Sequence, residues 1–455
     1  MGLMPVTDAM FLIPESREQP MHVGSLQLFT PPDGAGPEYL TELYLAALRA
    51  PAVAPAFGRR PHRSLTTAGQ WTWVDDAKSI DLEHHVRHSA LPPPGRIREL
   101  LALVSRLHGT LLDRHRPLWE AHLIEGLEDG RFAVYTKLHH SLMDGVSALR
   151  LQERSLSTDP SLRDVPMPFE PRPRKAKPRT SAGLTSLPGA ALQTAWDLTT
   201  LTPRLLKLAE STLREQTAAM PMQAPRSILN VPITGSRRFA AESWSIDRIR
   251  AVGKAAGATV NDVVLAMSSS ALRDYLLSMD ALPSSPLIAM TPVSLREEGD
   301  ESGGNAVGTI LCNLATDLDD AEARLLAIHS SMQAGKAGLA SLSPMQVTAV
   351  SALVMAPLLL GSVPGGSLAP PAYNLVISNV PGPKEPLYWN GARLVGNYPL
   401  SIPLNGQALN ITVTSYAGSM QFGLTGCRRT VPHLQRLLVG LEDGLAALEK
   451  AFATT

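Results

Sequence analysis

Two adjacent histidines, His139 and His140, stand just before an Asp-Gly pair, Asp144-Gly145, in the stretch KLHHSLMDGVSALR (Lys137–Arg150). Imidazole has an unperturbed pKa near 6.5, which makes it a competent general base around neutrality. A carboxylate nearby can orient such a ring directly, as in catalytic triads, or can hold the turn through an arginine. The residue types leave both roles open for Asp144. The residues before the histidines, RFAVYTKL, alternate as a strand does, setting Phe132, Val134, Thr136 and Leu138 against Ala133, Tyr135 and Lys137. Consecutive strand side chains point to opposite faces, so only one of the two histidines can face a given cleft. The other is expected to pack or hydrogen-bond on the far side. Gly145 permits a tight backbone, and VSALRLQER then starts a helix. A strand end that leads into a helix is a common place for reacting groups in α/β proteins.

Other reactive side chains are weaker candidates. Ser141 follows His140 but lacks the GxSxG elbow of a serine nucleophile. Cys312 and Cys427 lie in no catalytic pattern and read as packing residues. A second pair occurs in LEHHVRH, where His84 and His88 could share a helix face, but no third ligand is evident and no metal is expected.

The elements that must hold these groups alternate along the chain. SLQLF (Ser25–Phe29) reads as a strand, LTELYLAALRA (Leu40–Ala50) as a helix, and RIRELLALVSRLHGTLLD (Arg96–Asp113) as an amphipathic helix. ATVNDVVLAMSSSALRDYLL is a helix with Thr259 or Asn261 as its cap. LIAMTPVSLR (Leu287–Arg296) is a strand, ALNITVTSYAGSMQFGLTGC a hairpin, and LQRLLVGLEDGLAALEKAF a closing helix. Between the halves, EPRPRKAKPRT is basic and proline-rich, as an exposed linker would be. The expected organisation is residues 1–159, a linker with crossover helices at 160–235, and a second domain at 236–455.

The composition is globular, with 44% hydrophobic and 18% charged residues among 455. Lys+Arg and Asp+Glu are equal at 41 each, so nothing draws the chain toward nucleic acid. Two cysteines without a CxxC pair point to a reducing cytoplasm. The N-terminus lacks a basic region followed by an apolar core, and Val6 stands where myristoylation wants Ser or Thr. The charge-free run Val347–Val363 is shorter than the ~20 apolar residues of a spanning helix and is broken by Pro357. It reads either as a core helix or, with the basic linker, as a means of reaching a membrane or lipid-droplet surface.

HHSLMDG resembles the HHxxxDG motif of the CoA-dependent acyltransferase superfamily. PMHVG (Pro20–Gly24), RPLWE (Arg116–Glu120), NDVVLA (Asn261–Ala266), TPVSLR (Thr291–Arg296) and SNVPGP (Ser378–Pro383), in that order, resemble the bacterial wax ester synthase/diacylglycerol acyltransferase family, in particular its actinobacterial, triacylglycerol-forming branch. The resemblance implies a mixed α/β fold of two chloramphenicol-acetyltransferase-like domains, each a mixed sheet flanked by helices, with the active site at their interface. It implies His140 as general base and His139 as its secondary neighbour. Asp144 would support the motif structurally, with Arg296 as its candidate partner. Asn261 is a candidate for orienting the base or a substrate, and PLWE would pack its Trp beneath the histidine loop. No cofactor is implied: acyl-CoA is a substrate, and diacylglycerol or a fatty alcohol the acceptor. The place of action would be the cytoplasm, peripherally at the inner membrane face or on lipid droplets. Two other readings compete. A condensation-type amide or ester synthase uses the same HHxxxDG, but this chain carries no carrier or adenylation domain. A non-catalytic lipid-binding or droplet-coating protein would need neither His140 nor Asp144.

Overall fold

The computed structural model describes residues 2–64, 69–171, 223–294, 307–343, 346–347, 350–351 and 371–453. Arg296, nearly all of the basic linker and most of the Val347–Val363 run lie outside these residues. The described strands form three sheets. A small antiparallel sheet joins β1 (Gly2–Leu3), β3 (Arg59–Arg63) and β4 (Trp71–Asp75). The first large sheet contains β2 (His22–Thr30), β5 (Val86–Ala90), β6 (Trp119–Glu125) and β7 (Phe132–His139), together with β12 (Tyr388–Trp389) and β13 (Ala392–Leu400). Its order is β12-β13-β2-β7-β6-β5. The second contains β8 (Arg237–Ser245), β9 (Ile288–Ser294), β10 (Val307–Asn313), β11 (Leu375–Val380), β14 (Leu409–Tyr416) and β15 (Ser419–Cys427), in the order β10-β9-β11-β14-β15-β8. Both large sheets are mixed. β5 runs parallel to β6, and β11 runs parallel to both β9 and β14.

The alternation read in RFAVYTKL is realised in β7, whose eight residues are all buried. It lies between β2 and β6 with Val23 opposite Leu138 and His22 opposite His139. The helix Ile97–His108 covers one face of this sheet through Leu100 and Val104. The helix Val260–Ser278 is buried along most of its length in the core of the second sheet. Of the two candidate caps for it, Thr259 is the one used: its hydroxyl accepts the Asp262 N–H at 3.2 Å, and Asp262 Oδ2 accepts the Thr259 N–H at 2.9 Å. The 409–427 hairpin and the closing helix, Arg436–Phe452, also form.

One connection departs from a simple division into halves. β13 belongs to the later part of the sequence, yet it pairs antiparallel with β2 in the first sheet, from Arg393↔Thr30 to Leu400↔Gly24. The polypeptide then returns to the second sheet through residues 401–408. This exchange draws the segment Pro399–Leu404 between the two large sheets.

Candidate active site

The two large sheets enclose a cavity of about 320 Å³. Thr136, Leu138 and His140 line it, whereas Tyr135, Lys137 and His139 do not. Strand alternation therefore delivers His140 to the cavity and His139 to the opposite face. The far wall comes from β9, β11 and β14 with Met290, Ser378, Asn410 and Thr412, and from Ser401 beyond the crossing strand.

His139 is fully buried, and its surroundings fix its tautomer. The Ser141 N–H donates to Nδ1 at 3.0 Å, and the Ser141 hydroxyl lies 2.6 Å from the same atom. Nδ1 is thus an acceptor, which leaves the ring's hydrogen on Nε2. Nε2 stands 3.2 Å from Glu15 Oε1. Glu15 also accepts the Met21 N–H at 3.1 Å and the Arg114 Nε–H at 2.9 Å. Burial alone would raise the Glu15 pKa, but His139, the Met21 amide and Arg114 outweigh it and hold the carboxyl below its ordinary range. This chain of groups pins the backbone beneath His140.

The His140 ring stacks on Phe11, with centroids 3.9 Å apart and planes inclined by 24°. Its Nδ1 is buried without a hydrogen-bond partner. Burial pushes its pKa down to about 4; Asp144 opposes this, and His139 adds to it. The ring is therefore neutral at physiological pH and able to accept a proton.

Asp144 begins the helix Gly145–Glu153. Its Oδ1 accepts the Ser147 N–H and its Oδ2 the Ser147 hydroxyl, each at 2.8 Å. Its expected arginine partner, Arg296, lies outside the described residues. Gly145 does not serve a strained backbone. A Cβ there would meet only Val23 Cγ1 at 3.9 Å, and the glycine leaves its space to the cavity beside His140.

Asn261 does not line the cavity. Its Oδ1 accepts from Asn379 Nδ2 at 3.4 Å, behind the cavity-lining Ser378 and Val380. The SNVPGP turn is tightly seated, because a Cβ on Gly382 would lie 2.2 Å from Ser415 O and 3.1 Å from Glu153 Oε1. Trp119 of PLWE is a packing residue. Its indole N–H donates to Phe57 O at 2.9 Å, and its ring stacks on His85 and Phe169. His84 and His88 share no helix face: the helix is the single turn Leu82–His85, and His88 lies on β5. Among the described residues no group of three metal-binding side chains occurs.

None of the alternative nucleophiles reaches the cavity. Ser141 is buried against His139. Burial in the second core pushes the Cys312 thiol up to about 12. Cys427 is held between Thr234 and Thr430; burial would raise its pKa, but hydrogen bonds from both residues bring it to about 7.

Residues 3–264 match the wax ester synthase/diacylglycerol acyltransferase catalytic domain, and residues 303–449 match the C-terminal domain of the same proteins. The chain belongs to the wax ester synthase/diacylglycerol acyltransferase family. A Mycobacterium tuberculosis protein named as a diacylglycerol O-acyltransferase is 53% identical over 99% of both chains. Another from that species, similarly named, is 52% identical over 98% of this chain and 99% of its own. The solved wax ester synthase/diacylglycerol acyltransferase from Marinobacter aquaeolei is 45% identical over the whole of both chains, with a TM-score of 0.81. The first condensation domain of the calcium-dependent antibiotic synthetase shares the fold, with a TM-score of 0.58 at 16% identity over 99% of this chain and 96% of that one. The mixed α/β fold and the acyltransferase class expected from the motifs both hold for this chain.

The motifs do not point to Phe11, Glu15 or Arg114. Two of them sit in the N-terminal stretch MFLIPES, whose pattern is neither helix nor strand. The available signal was a single acid, Glu15, directly after Pro14 at the end of an apolar run.

Proposed function

We propose that this acyltransferase esterifies diacylglycerol with the acyl group of an acyl-CoA, and also accepts long-chain alcohols, with His140 as general base. The observation that carries the reading is the placement of a neutral, cavity-facing imidazole where two sheets meet. In this reading the acceptor hydroxyl gives its proton to His140 Nε2, Nδ1 carrying the ring's own hydrogen. The hydroxyl oxygen attacks the thioester carbonyl, and the tetrahedral intermediate collapses by breaking the C–S bond. The departing CoA sulfur takes the proton from His140. Ser378, Asn410 and Thr412, on the opposite wall, are the polar groups available to the carbonyl oxygen. Holding both substrates together supplies much of the rate advantage, and enclosure between the sheets limits hydrolysis of the thioester.

Asp144 acts in this scheme through the helix it caps and through its charge beside His140. Asn261 supports the SNVPGP turn rather than touching substrate. Among the described residues no helix is long and apolar enough to cross a membrane. We place the enzyme peripherally, at the cytoplasmic membrane face or on lipid droplets, because its acceptor partitions there. The test is release of free thiol from acyl-CoA in the presence of diacylglycerol or hexadecanol, with the ester product identified. Thiol release without ester would contradict the proposal.

A further inference from the structure

Away from the catalytic cavity, a cleft of about 720 Å³ opens between the 97–108 helix, the start of β8 and the segment after β15. Its floor is apolar, with Ile97, Leu101 and Val431, and Arg98, Arg238 and Arg428 stand around it. The strand register gathers two of these cations. β8 and β15 pair with Arg238 opposite Gly426 and Arg237 opposite Cys427, and the Arg428 N–H donates to Ser236 O at 3.0 Å. Among the described residues none of the three side chains has a carboxylate or hydrogen-bond partner. The nearest acid in sequence, Glu99, is engaged by Arg96 at 2.9 Å. The arginines also feel one another: Arg238 is held below its ordinary pKa by burial, then by Arg428 and Arg98. Three guanidinium groups without a carboxylate partner thus line one apolar cleft, an arrangement suited to an anion. Each presents the forked donors that match phosphate oxygens.

We infer that this cleft seats the phosphate of an anionic phospholipid, with the lipid's glycerol and upper chain against Ile97, Leu101 and Val431, and so docks the enzyme on the bilayer that carries its acceptor. The inference rests on the proposed use of a membrane-borne acceptor. The apolar floor favours an amphiphile over a free phosphate, and the exposed Ile97 extends that floor to the rim. The helix links cleft and cavity. At its far end His108 Nε2 lies 3.0 Å from Ser401 O, and Ser401 lines the catalytic cavity. With a rise of about 1.5 Å per residue, Leu101 is only about 10 Å along the helix from that contact. A lipid surface held at the cleft is therefore close to the site.

The test is co-sedimentation of the full chain with phosphatidylcholine vesicles that do or do not contain phosphatidylglycerol. Each basic residue near an anionic bilayer is worth roughly fivefold in affinity, so replacing Arg98, Arg238 and Arg428 together by Gln should weaken binding to the anionic vesicles about a hundredfold. Turnover of detergent-dispersed diacylglycerol and the KM for acyl-CoA should not change. Unchanged vesicle affinity would overturn the inference. So would a raised KM for acyl-CoA with vesicle binding intact, since the cleft would then take the phosphates of CoA. Arg98→Gln and Arg428→Gln alone, at exposed positions, should each lose about fivefold and keep the wild-type melting temperature, which separates docking from folding. If wild-type enzyme fails to turn over dispersed diacylglycerol, the proposed function falls, while the vesicle measurement still reads the cleft.

Discussion

His140 is proposed to work as a neutral base, and its desolvation sets the pH at which that fails. A ring held to about 4 is unprotonated through neutrality and loses its accepting lone pair only as pH falls through that value. The acid limb of kcat/KM, which reports the free enzyme, should lie near pH 4 in brief pH-jump assays. Asp144→Asn should move the limb lower, because it removes the carboxylate that opposes the shift while keeping a side chain able to cap the helix. A limb near the unperturbed 6.5 would mean that some other group governs the reaction. Direct transfer also makes the other reactive side chains dispensable. Ser141→Ala, Cys312→Ala and Cys427→Ala should each retain activity, and intact-mass spectrometry after incubation with acyl-CoA alone should show no acyl adduct. At this scale the sequence was informative about facing: alternation along RFAVYTKL already separates His139 from His140. The ring under His140 and the carboxylate behind His139 were not legible. Phe11 and Glu15 are more than a hundred positions earlier in an irregular segment, and only tertiary packing brings them near.

The elements around the site are held by polar groups that can be tested one at a time. Asp144→Ala removes the N-cap of the 145–153 helix and should cost about 1 kcal/mol by urea denaturation, whereas Asp144→Ser should recover most of it. Equal losses for Ala and Ser would show that capping is not the contribution of Asp144 to stability. On the face of β7 away from the cavity, Lys137 is fully buried, with Nζ donating to Leu107 O at 3.1 Å and Thr110 O at 3.0 Å and lying 3.1 Å from Glu120 Oε2. Removing one member of a buried ion pair leaves the other uncompensated, so Lys137→Met should destabilise the protein by about 3–5 kcal/mol. A loss below about 1 kcal/mol would contradict that. The strands and helices with clear periodicity were legible from residue patterns alone. Two kinds of element were not: strands too short or polar to announce themselves, such as Arg59–Arg63, and the 82–88 stretch, where one helical turn passes straight into β5.

At the scale of the whole molecule the site depends on two sheets being held together, and sequence order conceals how. β13 crosses from the later half into the first sheet, and its last residue, Leu400, together with Ser401 and Ile402 just beyond it, lines the cavity. No local pattern distinguishes a strand that joins its own sheet from one that joins its neighbour's. The SNVPGP turn closes the same junction, packed against β14 and Glu153. Gly382→Ala would drive a methyl into Ser415 O, and overpacking of this kind typically costs about 1–3 kcal/mol. The variant should therefore unfold at lower urea and lose kcat/KM together; full activity at unchanged stability would show that the turn does not fix the relation of the sheets.

The most direct test of His140 as general base is the steady-state turnover of acyl-CoA and diacylglycerol by His140→Gln, measured alongside its melting temperature. With the general base removed, kcat should fall by about 10²–10⁴ and the melting temperature should not change. A folded His140→Gln enzyme that keeps more than about a tenth of wild-type turnover would contradict that role.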